Sequence, residues 1–274
     1  MTLENRLTDE IDGDQPSEFR VGSESASEQP PPQPVLEVAN LSKLYKNGRG
    51  IRQMSFTLMR GDIFGLLGSN GSGKTTAIKC IFGLCPFRGD IKIFGESVSD
   101  CPGAALRRAG CIVESPSFYE NLTAWQNLSL AAKYYYPSKK EIAEHTEWAL
   151  GIVGLSKYSD ERVDRFSLGM KARLGLALCF VSKPAFMALD EPLNGLDIEG
   201  MVEIRNIILD RASGTGATFL ISSHLAAEIE KTCNCLGIMH EGVLIETARL
   251  EDVMREHGSV EDYYLNATSR FARP

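Results

Sequence analysis

The sequence lacks any run approaching about 18 consecutive apolar residues, the length of a membrane-spanning helix. Because 43% of its 274 residues are hydrophobic, the chain can still bury a sizeable core. The N-terminal stretch also lacks the succession of basic, apolar and small residues found in a secretory signal. We therefore expect a protein without its own membrane span, whose seven cysteines are reduced thiols. Cys233 and Cys235 would need further ligands to hold a metal, and no second pair of Cys or His residues lies nearby in the sequence.

Positive charge is scarce at the N-terminal end of the chain. Residues 1–34 contain two basic residues against eight acidic ones, so they carry nearly all of the formal net charge of −7. With four prolines at its end, this segment is too polar to bury a core. We expect a disordered, acidic, proline-rich tail over 1–34 ahead of one folded domain over 35–274. Two interpretations of the tail remain open, a solvated extension and a regulatory or partner-binding segment.

A glycine-rich loop lies between a predicted strand at 62–67 and a predicted helix at 77–82. Glycines at such a junction let backbone N–H groups face a phosphate chain, and the helix dipole adds attraction for the anion. Lys74 is expected to reach the β- and γ-phosphates of ATP and Thr75 to ligate Mg²⁺. The complete pattern makes an accidental glycine-rich turn the weaker interpretation. The expected phosphate-binding residues are Gly68, Ser69, Asn70, Gly71, Ser72, Gly73, Lys74, Thr75 and Thr76.

Two adjacent carboxylates, Asp190 and Glu191, follow a short apolar run at 186–189. Such a run is typical of a central parallel strand, and the carboxyl ends of these strands are where open α/β sheets bind ligands. Asp190 is expected to hold Mg²⁺, and Glu191 to orient and deprotonate the water that attacks the γ-phosphate. For the Asp-Glu-Pro string alone, a helix cap or turn is the alternative, but the upstream loop favours the catalytic assignment.

The segment FSLGM (166–170) begins a predicted helix over 168–181, which Pro184 terminates. About 14 residues at about 1.5 Å each place Ser167 roughly 20 Å from the start of the strand before the two carboxylates. From this separation we infer that Ser167 and Gly169 act on a nucleotide held by a second chain.

These three motifs, in this order, resemble those of the ATP-binding subunit of ABC transporters, over about residues 35–265. FSLGM is similar to the LSGGQ signature of that family. Ser167 and Gly169 match its serine and second glycine, whereas the other three residues depart from the commonest form. The resemblance implies an ATPase that works as a pair and is coupled to a membrane protein.

Three further positions match motifs of the same family. The resemblance implies that Tyr45 stacks on adenine and that Asp197, in the string NGLD, belongs to the nucleotide site as part of the D-loop. It also implies that His224, after a strand predicted at 218–222, contacts the γ-phosphate and assists catalysis with Glu191 and Lys74.

The resemblance implies an α/β fold of the P-loop NTPase type. This ABC-type ATPase core has a mainly parallel central sheet, an N-terminal antiparallel β subdomain and an inserted helical subdomain over about 115–165. A C-terminal extension is expected over about 241–274. Within the insertion, Thr123 and Ser138 are predicted to cap two amphipathic helices.

In this family, the inserted subdomain and the preceding loop form a groove that accepts a short helix of the membrane partner. Phe118, Tyr119 and Trp125 are our candidates for the apolar lining of this groove. Packing in an ordinary core is the alternative for all three.

Glu114 departs from the family pattern, which usually has Gln at this position. Both side chains offer an oxygen to Mg²⁺ or to water, but the carboxylate adds a negative charge beside the phosphates. We predict that Glu114 reaches Mg²⁺ or the attacking water. Together with the string FSLGMKARLGLA, Glu114 resembles the subgroup that serves bacitracin resistance, lantibiotic immunity and related peptide or drug export.

The resemblance implies two kinds of partner: a transmembrane permease, and a second ATP-binding subunit that is either another copy of the chain or a close paralogue. The expected location is the cytoplasmic face of the cell membrane. One alternative is a soluble ABC-type ATPase that acts on ribosomes or nucleic acid. Such proteins usually have long heptad coiled coils or tandem ATPase halves, which this sequence lacks, so we expect no nucleic-acid partner. Another alternative, a phosphotransferase or GTPase, has no use for FSLGM.

Overall fold

The computed structural model describes residues 33–114 and 116–271. The tail predicted over 1–34 therefore lies outside the described residues, except for its last two positions.

The described residues form ten strands and nine α-helices. The strands are β1 (Leu36–Leu44), β2 (Gly50–Leu58), β3 (Ile63–Gly68), β4 (Arg88–Ile93), β5 (Glu96–Ser97), β6 (Ala109–Ile112), β7 (Phe186–Asp190), β8 (Thr218–Ser223), β9 (Cys235–His240) and β10 (Val243–Arg249). The helices are α1 (Lys74–Ile81), α2 (Pro102–Ala105), α3 (Ala124–Ala132), α4 (Lys139–Ile152), α5 (Leu168–Phe180), α6 (Ile198–Thr215), α7 (Ala226–Thr232), α8 (Leu250–His257) and α9 (Val260–Phe271).

The strands form two sheets. The smaller sheet has the order β2-β1-β4-β5 and is antiparallel. The larger has the order β10-β9-β3-β8-β7-β6, in which every neighbouring pair is parallel except β10 and β9. The predicted fold class, a mainly parallel central sheet with an N-terminal antiparallel sheet, is confirmed.

The central strands are buried on both faces, which explains their continuous apolar sequences. Every residue of β3, β7 and β8 is buried. Their alternating side chains enter two different cores. Leu67, Leu189 and Ile221 pack with helices α3 to α9, whereas Leu66 and Ala188 pack with α1 and the antiparallel sheet. The parallel direction then brings the carboxyl ends of these three strands to one edge of the sheet.

Most helix boundaries follow from capping residues. Thr123 and Ser138 form capping boxes at the start of α3 and α4, so both predicted caps are confirmed. Helix α1 begins at Lys74, three residues before the predicted start at residue 77. The prediction was late because it relied on apolar periodicity, and the first turn of α1 is the polar sequence Lys-Thr-Thr.

Within the described ranges, no helix combines the length and the apolar content needed to span a lipid bilayer.

Candidate functional site

The loop between β3 and α1 leaves its backbone open to an anion. Gly71 and Gly73 have φ angles of 84° and 109°, a left-handed conformation that favours glycine. Gly73 is the N-cap of α1, and because glycine has no side chain it accepts no hydrogen bond from the amides of the first turn. The Ser72 hydroxyl is buried without a hydrogen-bond partner among the described residues. Uncapped amides and an unpaired hydroxyl are the groups that a phosphate chain would satisfy.

Lys74 contacts both this loop and the carboxylates at the edge of the sheet. Its ammonium group donates to the carbonyl oxygens of Gly68 (2.7 Å) and Ser69 (3.2 Å). It also lies 3.1 Å from Oε1 of Glu191. Lys74 is only 5% exposed, so these oxygens balance a buried positive charge. Phosphate oxygens would be stronger partners for the same ammonium group.

Ser222 organises the two carboxylates at the end of β7. In the register of the sheet, Asp190 lies opposite Ser222 of β8. The Ser222 hydroxyl donates to Oδ1 of Asp190 (2.6 Å) and accepts the N–H of Glu191 (2.9 Å). Glu191 has a φ of 49°, so its backbone is held in a strained conformation where the strand turns away. Ser222 could not be predicted from the sequence, because its role depends on the register of two strands.

Glu191 lies between two basic side chains. Its Oε1 faces Lys74, and its Oε2 lies 2.7 Å from Nδ1 of His224. His224 directly follows β8, at the same edge of the sheet. A carboxylate fixed from both sides is oriented to accept a proton from a water placed beside the phosphates. The structure thus brings together the three residues predicted to be catalytic.

The residues predicted to bind Mg²⁺ in this part of the site have suitable chemistry. Thr75 is in the first turn of α1, and Asp190 is buried at the end of β7. A hydroxyl and a carboxylate are hard oxygen donors, which Mg²⁺ prefers when it also binds phosphates. When bound, the ion would neutralise phosphate charge.

Glu114 lies in the loop after β6 and pairs with a residue that the sequence analysis did not identify. Its Oε1 accepts a hydrogen bond of 2.6 Å from Nζ of Lys79 on α1. This contact lowers the pKa of Glu114 and raises the pKa of Lys79. Glu114 also lines a cavity of about 390 Å³ together with Asp190 and Glu191. The structure therefore places Glu114 at the rim of the site, bound to Lys79.

The FSLGM segment caps a helix, as predicted. Ser167 is exposed, and its hydroxyl accepts the N–H of Met170 at the start of α5 (3.2 Å). However, the neighbouring Leu168 lines the same cavity as Asp190 and Glu191. Ser167 itself is not among the residues that line this cavity. That Ser167 serves a second chain stays a prediction.

The remaining predicted residues lie at separate places around the site. Tyr45 follows β1 and is 43% exposed, with the Lys43 ammonium 5.3 Å from its ring centroid. Asp197 caps α6 by accepting the N–H of Gly200 (2.9 Å). Gly169 and Thr76 are in the first turns of α5 and α1.

Two neighbouring cavities flank the loop that follows Glu114. Phe118 and Trp125 both pack against the core, and Phe118 also lines the cavity that contains Asp190, whereas Tyr119 is exposed. A second cavity of about 370 Å³ lies beside the edge strand β6, where Tyr135 of the α3–α4 connection is among its lining residues. Pro116 lines both cavities. Tyr135 was not among the predicted lining residues.

A phosphate-binding loop, a Lys–Glu–His contact chain at the carboxyl edge of a mainly parallel sheet and a helical insertion between β6 and β7 together define an ATP-binding cassette ATPase. The comparisons with known proteins agree with this class. The family model described as ABC transporter matches residues 51–194.

The chain is 39% identical over 233 residues to the bacitracin transport ATP-binding protein BcrA of Bacillus licheniformis, covering 85% of this chain and 75% of BcrA. It is 35% identical over 212 residues to the lantibiotic transport ATP-binding protein SrtF of Streptococcus pyogenes, covering 77% of this chain and 89% of SrtF. A solved structure, described as an ATP-binding subunit of an ABC transporter, superposes with a TM-score of 0.75 at 32% identity and covers 85% of this chain and 99% of its own.

The chain belongs to the ABC transporter family and is an ATP-binding, ATP-hydrolysing subunit of such a transporter. The family and the activity predicted from the sequence are confirmed.

Proposed function

We propose that this chain drives the export of a peptide antibiotic or related compound through a separate transmembrane permease, from the cytoplasmic face of the membrane. The proposed direction and substrate class draw on the relatives named for bacitracin and lantibiotic transport. The observation that carries the motor role is the contact chain from Lys74 through Glu191 to His224, placed beside an uncapped phosphate-binding loop.

In this proposal, each residue of the site has one task. The loop amides and Lys74 hold the phosphates of ATP, while Thr75 and Asp190 hold Mg²⁺. Glu191 accepts the proton of the attacking water, and His224 orients Glu191 and contacts the γ-phosphate. Tyr45 offers an exposed aromatic face to adenine.

We further propose that two ATP-binding subunits pair over this edge of the sheet, as two copies or as close paralogues. The exposed apolar side chains beside the site support a covering partner. Leu168, at the start of α5, is 60% exposed, and Ile198, at the start of α6, is 78% exposed. In the pair, Ser167, Gly169 and Asp197 would contribute to the nucleotide site of the partner subunit.

The loop after Glu114 provides a route from the ATP site to the permease. Pro116 lines both the catalytic cavity and the cavity beside β6, so in this proposal a shift of Pro116 would change both cavities. Tyr135, which lines the second cavity, is 56% exposed, and Tyr134, the preceding residue, is 89% exposed. A short helix of the permease that inserts apolar side chains is the occupant we propose.

Copurification tests the proposal. The tagged chain, isolated from detergent-solubilised membranes, should retain a polytopic membrane protein, and Tyr135→Ala should weaken this association. Tyr158→Ala removes another exposed tyrosine, away from the cavity, and should leave the association intact. Recovery with ribosomes or nucleic acid, and with no membrane protein, would contradict the proposal and favour the alternative considered from the sequence.

A further inference from the structure

We infer that Lys79 is a positioning residue that competes with the magnesium–nucleotide site for the Glu114 carboxylate. The inference rests on the proposed role of Glu114 in the ATP site. It adds a second partner for Glu114, a residue of α1 that none of the recognised motifs includes.

The contact itself is short and specific. Nζ of Lys79 lies 2.6 Å from Oε1 of Glu114 and is hydrogen-bonded to it. Lys79 projects from α1, whose first turn holds Lys74 and Thr75. Glu114 belongs to the loop after β6, lines the cavity that contains Asp190, and has a left-handed φ of 62°. The ion pair therefore ties the phosphate-binding helix to the loop that leads to the permease cavity.

Helix geometry places the two competing sites close together. Thr75 and Lys79 are four residues apart in α1, so they share one face of the helix about 6 Å apart along its axis. Glu114 is thus held by a residue that begins about one helical turn from Thr75, which is expected to ligate Mg²⁺. Lys79 holds Oε1 of Glu114 and leaves Oε2 free, so competition requires that the Mg²⁺ position lie beyond the reach of the free oxygen while Lys79 holds the other.

The solvent exposure of the pair suits a contact that is made and released. The two side chains are 31% and 68% exposed, and ion pairs in such surroundings add little stability. In contrast, Asp190 at the metal site is 8% exposed. The carboxylate of Glu114 can thus leave a weak, hydrated contact for a stronger one with a divalent cation.

This competition makes a carboxylate at residue 114 different from the usual glutamine. A neutral amide has little attraction for an ammonium group, so Lys79 would not retain a glutamine at this position in the same way. The strength of coupling between residues 79 and 114 should therefore depend on the charge of residue 114 and on Mg²⁺.

A double-mutant cycle in nucleotide affinity tests the inference. All variants carry Glu191→Gln, which prevents hydrolysis, and the equilibrium Kd for ATP is measured with Mg²⁺ and with EDTA. The cycle combines Lys79→Met with Glu114→Gln. If Lys79 competes for Glu114, Lys79→Met should lower the Kd for ATP in the chain that has Glu114. This decrease should be about twofold to fivefold larger than the decrease that Lys79→Met causes in the Glu114→Gln background. This coupling should vanish in EDTA, and Lys79→Arg should restore the parental affinity.

The chain offers a matched control pair. Lys171 and Glu120 also line the cavity, and they form an ion pair of 2.7 Å with similar exposure. The corresponding Lys171→Met and Glu120→Gln cycle should show no Mg²⁺-dependent coupling.

Coupling of zero, or of the opposite sign, between residues 79 and 114 would overturn the inference, since Lys79 would then act independently of Glu114 or stay bound to it.

A failure of the proposed function would give a different result in the same binding experiment. In that case the Glu191→Gln chain would not bind ATP at all, or Lys74→Ala would not reduce its affinity.

Discussion

The hydroxyl of Ser222 joins the two carboxylates of the site, and its removal should affect both. Ser222→Ala takes a hydrogen bond from the buried Asp190 and leaves the Glu191 amide without its acceptor. We expect a loss of roughly tenfold in ATP hydrolysis and of about 1–2 kcal/mol in the free energy of unfolding, measured by phosphate release and urea denaturation. Ser223→Ala is the matched control, because that hydroxyl accepts the Leu225 amide and touches neither carboxylate. Equal activity losses in the two variants would argue against the role of Ser222.

Glu191→Gln isolates the proton transfer. Glutamine keeps the length of the side chain, but it cannot serve as the base. The phosphate loop remains intact, so ATP binding should persist while hydrolysis falls about 10²-fold or more, which phosphate release and equilibrium binding can check. Near-normal turnover in the purified complex would show that another group accepts the proton.

The sequence was sufficient for residues whose roles depend on local motifs. Lys74 follows a glycine loop, and Asp190 and Glu191 lie at the end of a strand, so local motifs predicted their common edge, whereas the resemblance to ABC-transporter subunits implied the role of His224. Ser222 and Lys79 could not be found in this way. The role of Ser222 depends on the register between two strands distant in the sequence, and the role of Lys79 depends on where a loop folds back over α1.

At the scale of elements, helix α5 carries the proposed pairing of two chains. Mixing Lys74→Ala subunits with Ser167→Arg subunits should leave one intact composite site in each mixed dimer. We therefore expect residual ATPase activity in the mixture that is absent from either variant alone. A dimer structure in which Ser167 approaches the phosphates held by Lys74 of its own chain would contradict the proposed pairing.

The element boundaries show where sequence reasoning succeeds and where it stops. Capping residues and Pro184 bounded α3, α4 and α5 well because these signals are local. Helix length gives the separation of Ser167 from the next strand along α5 only, whereas the distance from Ser167 to the catalytic edge depends on how the two elements pack in three dimensions.

At the scale of the whole molecule, two hydrophobic cores lie on opposite faces of the central sheet and hold different elements against it. One core joins the central sheet to the helical insertion, and the other joins it to α1 and the antiparallel sheet. The catalytic residues lie where these parts meet, at the carboxyl edge of the parallel strands. A shift of the helical insertion relative to α1 would change the distance between Glu114 and the phosphate loop, which is the coupling that the proposed transport cycle requires.

The most direct test of the account is ATP hydrolysis by the chain reconstituted in lipid vesicles with the permease that copurifies with it. We predict that hydrolysis is faster with the permease than without it. It should be lost in the complex that carries Glu191→Gln, although that complex still assembles and binds ATP. The same rate with and without the permease, or undiminished hydrolysis in the Glu191→Gln complex, would contradict the claim that this site powers a membrane transporter.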